Sequence, residues 1–192
     1  MKTFITFFLL FFSSSVFTEE ISDFQIEGIS IGDNLLNYFS INEIENATDT
    51  YYYKNKKYVF YLFTNISNYK IYQDIQVTVI NKPKTFIIHE ISGIISYKDN
   101  IQDCYKKQSQ IKNELEIAFN KESYKDTGSH PGDKTGNSKY VRFSYDFQNE
   151  SYAQIVCFDM SKKLENNGQW DALYITLTSD AFANFLTNEN YE

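Results

Sequence analysis

Two histidines occur in this chain, His89 and His130, and the second lies in its most polar stretch, residues 127–138 (TGSHPGDKTGNS). Imidazole, carboxylate, amine and hydroxyl groups gather there within a few residues. Gly128, Gly132 and Gly136 permit backbone conformations closed to other residues, and Pro131 stiffens one point among them. The segment does not match the phosphate loop, which needs G-x-x-x-x-G-K-[ST] between strand and helix. It also lacks the D-x-[DN]-x-[DN]-G spacing of a calcium loop. A loop of this kind is either a flexible connector or functional, and if functional it suits binding rather than catalysis, through His130, Asp133, Lys134 and Thr135. As part of a long polar loop, Lys121 to Asn137, these residues are expected at the surface, so replacing Asp133, Lys134 and Thr135 should scarcely alter stability.

Other chemistry is weakly signalled. His89 falls on the same side as Ile87, Ile91 and Ile95, which predicts a hydrogen-bonded histidine facing the core or its edge. Carboxylates are plentiful, so a Glu/Asp pair for glycoside hydrolysis is conceivable, but nothing singles out one pair. There is no G-x-S-x-G elbow and no tight cluster of metal ligands, and no metal, cofactor or catalytic residue is assigned. The run Thr50 to Tyr58 (TYYYKNKKY) reads either as a sugar- or peptide-stacking surface or as an ordinary strand edge.

The only cysteines, Cys104 and Cys157, are predicted to form one disulfide. Residues 100–120 have helical periodicity, with Ile101, Cys104, Tyr105, Gln108, Ile111, Leu115 and Phe119 on one face. Cys157 lies in the strand-like run Tyr152–Met160, sharing a side with Ala153 and Ile155. The alternative is a reactive thiol at the helix N-terminus.

The elements that must position these groups read in the order α-βββ-α-βββ-α. Residues 19–26 look extended or disordered. Two short helical turns follow in Gly28–Asn46, the second opened by the capping box Ser40-Ile41-Asn42-Glu43, with Leu35, Leu36, Tyr38, Phe39, Ile41 and Ile44 expected to be buried. Strands are predicted at Lys57–Phe63, Tyr72–Ile80, Thr85–Tyr97, Lys139–Phe147, Tyr152–Met160 and Ala172–Thr178, with a bulge or bend at Gly93. A final helix, Ala181–Leu186, is capped by Ser179 or Asp180. The expected fold class is α+β: an antiparallel arrangement of about six strands with the helices packed on one face. No linker divides the chain, so residues 19–192 read as a single domain.

Lys2, the apolar run Phe4 to Phe12 and Ser13-Ser14-Ser15 have the layout of a secretory signal peptide, residues 1–18, cleaved after Ser15 or Thr18. The run is shorter than the ~20 apolar residues a membrane span needs, and no second one approaches that length. The formal charge of −7 without a basic stripe argues against nucleic acid as partner. Sixteen Tyr and seventeen Phe imply a core built on rings. Lys far outnumbers the single Arg142, and Ile and Asn are abundant, a preference that follows AT-rich codons. Sequons at Asn46, Asn65 and Asn149 are most simply products of that bias.

Several segments together resemble a group of small exported uncharacterised proteins from AT-rich marine alphaproteobacteria. They are residues 27–33 (EGISIGD) with Leu35-Leu36 and Tyr38-Phe39-Ser40, residues 92–97 (SGIISY), residues 103–107 (DCYKK), residues 132–136 (GDKTG) and Cys157. The resemblance implies a bacterial, exported chain and brings no activity, cofactor or site residue. The opening turns followed by strands also look loosely like small periplasmic α+β modules of the outer-membrane assembly lipoprotein type, which bind proteins. The resulting expectation is a periplasmic or secreted, non-enzymatic domain that binds a protein or envelope component. The alternative is a small hydrolase using carboxylates or His130 in a cleft.

Overall fold

The computed structural model describes residues 20–189, apart from 54, 55, 67, 68, 83, 99, 131 and the side chain of Gln148. The signal-peptide segment and its cleavage site lie outside the described residues. The elements in chain order are β1 (Gln25–Ile26), β2 (Ile29–Ser30), α1 (Ile41–Glu45), β3 (Asp49–Tyr52), β4 (Tyr58–Thr64), β5 (Asp74–Ile80), β6 (Ile88–Lys98), α2 (Ile101–Ala118), β7 (Tyr124–Ser129), β8 (Lys139–Asp146), β9 (Tyr152–Asp159), α3 (Lys162–Glu165), β10 (Asp171–Thr178) and α4 (Asp180–Asn188). Short 3-10 turns occur at Ile21–Asp23, Leu35–Asn37 and Gln148–Glu150.

The α+β class holds, but among the described residues the strands number ten rather than six. Eight form one antiparallel sheet in the order β3-β4-β5-β6-β10-β9-β8-β7, and β1 and β2 make a separate hairpin. The unexpected strands β3 and β7 are the two edges. Their sequences, DTYY and YKDTGS, lack the Val/Ile content that marks a strand, and pairing with β4 and β8 supplies their order. The predicted loop 121–137 is thereby shortened, because Tyr124–Ser129 belongs to the sheet.

Helix α2 covers one sheet face. Cys104, Leu115 and Phe119 turn inward, and Cys104 bonds Cys157 of β9 with Cα atoms 6.1 Å apart. Buried Gln108 donates its side-chain amide to the carbonyls of Val141 and Ile155, tying α2 to β8 and β9. The residues 20–45 complete this face. Gly32 N–H donates to Ile88 C=O and Leu35 N–H to Phe86 C=O, stitching the segment to the start of β6. Of the six residues expected to be buried there, Leu35, Phe39 and Ile44 are, while Leu36, Tyr38 and Ile41 are exposed. A short helical segment lying on the sheet can bury only one side.

The helices do not all share one face. In β4 and β5, Val59 and Val79 belong to the main core, while their neighbours Tyr58 and Ile80 point the other way. There they meet Phe182 and Phe185 of α4, forming a second, smaller cluster with Tyr53 and Leu186. Ser179 caps α4 by accepting from the Phe182 N–H.

Candidate functional site

The residues singled out in 127–138 sit in a tight turn between β7 and β8. His130 N–H donates to Ser138 C=O, its Nδ1 accepts from Gly132 N–H, and its ring packs edge-on against Phe158. Burial lowers its pKa. Asp133 is buried rather than exposed, because its carboxylate is the hub of the turn. One oxygen accepts from the Thr135 N–H and hydroxyl, and the other from the Ser138 N–H and hydroxyl and from the Ser161 hydroxyl. The Ser138 and Thr135 side-chain bonds hold its pKa well below the usual carboxylate range. Lys134 and Thr135 are exposed. Of the four predicted site residues, Asp133 thus organises the turn, and Lys134 and Thr135 present themselves outward.

His89 does not face the main core. The β5–β6 ladder shifts register between Thr78 and Val79, opposite Ile88 to Glu90, and this bulge breaks the alternation read from sequence. His89 lies in the second cluster, edge-on to Tyr58 with Nδ1 bonded to the Ser179 hydroxyl, and burial lowers its pKa. Gly93 is not the bulge. A Cβ there would meet the Tyr72 ring at 2.5 Å, so glycine is required by the ring stacked on the strand.

A buried acid that sequence reasoning passed over occupies the same face. Glu90 stands between Thr78 of β5 and Thr178 of β10, and each hydroxyl donates to one of its carboxylate oxygens. Tyr152 stands next in the row, opposite Thr178. Burial raises the Glu90 pKa to about 7, against the two threonine bonds, which lower it. Burial followed by the nearby Glu90 charge pushes Tyr152 up to about 12. The sequence signal was a lone acid inside the apolar run 87–95 (IIHEISGII). Glu90 and His130 do not converge: His130 touches Phe158, opposite Ala172, six residues along β10 from Thr178, or ~20 Å of strand. Among the described residues, no group of three or more His, Cys, Asp or Glu is placed to hold a metal ion.

A concave feature of ligand size lies elsewhere, between α1 and the outer strands of the sheet. A groove of about 390 Å³ is lined by Ile41, Ile44, Glu45, Thr50, Tyr52, Tyr61 and Phe86. That volume falls within the range of small-ligand and side-chain pockets. Ile44 is its buried apolar floor, while Ile41 and Tyr52, about half exposed, are its walls. The capping box predicted at Ser40–Glu43 sets α1 beside the groove: the Ser40 hydroxyl accepts from the Glu43 N–H and the Glu43 carboxylate from the Ser40 N–H. The Ser40 N–H and, next, the Ser40 hydroxyl donate to the Glu43 carboxylate and hold its pKa down. A second void, about 30 Å³ between α2 and the N-terminal segment, is apolar and no larger than a water or two.

Comparison with known proteins leaves these features to speak for themselves: no family model, no curated protein and no solved structure matches the chain.

Proposed function

We propose that the chain is an exported binding domain, periplasmic or secreted, that takes a protein or envelope component in the groove between α1 and β3. The observation that carries this reading is the groove itself, a ligand-sized concavity with mixed apolar and polar walls standing open beside an edge strand. Ile41 and Tyr52, two large apolar side chains about half exposed on the same groove, are costly to leave in water without a partner. The disulfide supports an oxidising location. No helix among the described residues is long and apolar enough to cross a membrane.

Retention of envelope material on the immobilised chain tests the reading. Ile41→Asp, at an exposed groove wall, should abolish retention, and Lys134→Ala in the 127–138 turn should leave it intact. The reverse pattern would transfer the function to the turn. A second reading, hydrolysis, draws on Glu90, whose pKa of about 7 suits proton transfer. It requires that Glu90→Gln abolish turnover of an envelope substrate.

A further inference from the structure

We infer that the occupant of the groove is an extended peptide segment of a partner protein, added to the sheet as a further strand along β3. This rests on the reading of the groove given above. Tyr53 N–H donates to Tyr58 C=O, so the hydrogen-bonded pairs between β3 and β4 fall at alternate positions, Asp49, Tyr51 and Tyr53. The backbone groups of Thr50 and Tyr52 therefore point away from β4, towards the open edge. The Asp49 carboxylate occupies the Thr50 N–H at 2.8 Å, which leaves the Tyr52 N–H and two carbonyls for an added strand. Among the described residues no strand pairs with that edge.

Thr50 and Tyr52 also turn their side chains to the groove. Residues of an added strand opposite them would point the same way, beside Thr50 and Tyr52 at the outer rim of the groove, because side chains of paired positions share a face. The intervening residue would lie beside Tyr51, whose ring stacks on Phe60 across the sheet at 5.5 Å. Backbone pairing would supply affinity and the groove would select alternate apolar side chains. Charge sets one flank. Glu45 lines the groove and Glu43 and Asp49 are exposed at the same end of β3, while Lys56 is exposed at the hairpin end, so the complementary segment carries Lys or Arg at the end that lies beside Asp49. The opposite edge, β7, offers no such site: its residues include Lys125 and Asp126, the latter paired with Arg142. A charged edge of that kind is a protected one.

The probe is a fluorescein-labelled peptide of sequence KITITK, titrated against the full chain by anisotropy. Saturable binding is expected, weakened about tenfold or more when the central backbone amides of the peptide are N-methylated, and weakened similarly when both Lys are changed to Glu. Tyr52→Pro removes an outward N–H without touching the β3–β4 bonds and should also abolish binding. The N-methylated peptide gives the same answer should that variant fail to fold. No binding of KITITK overturns the inference. Binding that survives N-methylation but is lost in Ile41→Asp overturns strand addition while leaving the groove as the site. Binding that survives both overturns the groove as well.

Discussion

The Thr178 hydroxyl of β10 donates to Oε2 of Glu90 on β6 at 3.1 Å, and Thr78 makes the matching bond to Oε1 from the other side. A carboxyl held between two threonines in the middle of a sheet is satisfied in geometry but short of water. Its charged form is therefore the expensive one.

The consequence for stability has a definite sign. The Glu90 pKa rises from 4.5 to about 7 on folding, so between those values the folded chain keeps a proton that the unfolded chain has released. Its contribution is fully present below pH 4.5 and is lost as pH rises towards 7, by about 3 kcal/mol at most. Glu90→Gln should remove that slope and be the more stable protein at pH 8. Urea unfolding at pH 5 and pH 8 reads both, and parallel pH profiles for the two proteins would refute the assignment.

In the 127–138 turn, burial of Asp133 reverses what the sequence suggested. Asp133→Ala leaves the N–H and hydroxyl donors of Thr135 and Ser138 without their shared acceptor, and should lower the Tm by about 5 °C or more. Lys134→Ala should stay within about 1–2 °C of the parent. The two melting curves superimposing would contradict the hub role. Because this carboxylate's pKa is depressed, its contribution persists at neutral pH and is lost only as pH falls through the folded value.

Gly93→Ala places a methyl group against the buried Tyr72 ring and should cost about 1–3 kcal/mol in chemical denaturation. Pairing it with Tyr72→Leu should recover part of the loss, through the space the ring vacates. No recovery would mean that Gly93 is needed for the backbone instead.

Cys157→Ser opens a cross-link spanning 53 residues and should destabilise by about 4 kcal/mol in the chain-entropy model. Intact mass and thiol titration of protein purified without reductant provide the companion test: no free thiol is expected.

What the sequence made legible was periodicity. Residues 100–120 could be placed as a helix facing β9, with Cys104 toward Cys157, because apolar residues recurred at helical spacing against a strand with alternation. Runs rich in Val, Ile and aromatics located β4, β5, β6, β8, β9 and β10 within a few residues. The edges β3 and β7 escaped because their order comes from pairing rather than propensity. The facing of His89 was misread because a bulge in β6, inside the sheet, cancels the alternation locally, although its hydrogen bond was expected. The groove was illegible for a different reason: its walls come from 41–52, Tyr61 and Phe86, which meet only in the fold. Its one trace was the tyrosine run after Thr50, half of which is now the exposed edge.

The central claim is that ligand meets this chain at the β3 groove, and a photo-crosslinking phenylalanine analogue placed at Tyr52 tests it most directly. The same group at Lys134 in the turn and at Ile117 on the outer face of α2, 83% exposed, provides the comparison. After illumination of the protein mixed with a cell-envelope fraction, a discrete adduct is predicted from position 52 and none from 134 or 117. An adduct from 134 or 117 with nothing from 52 would contradict the account.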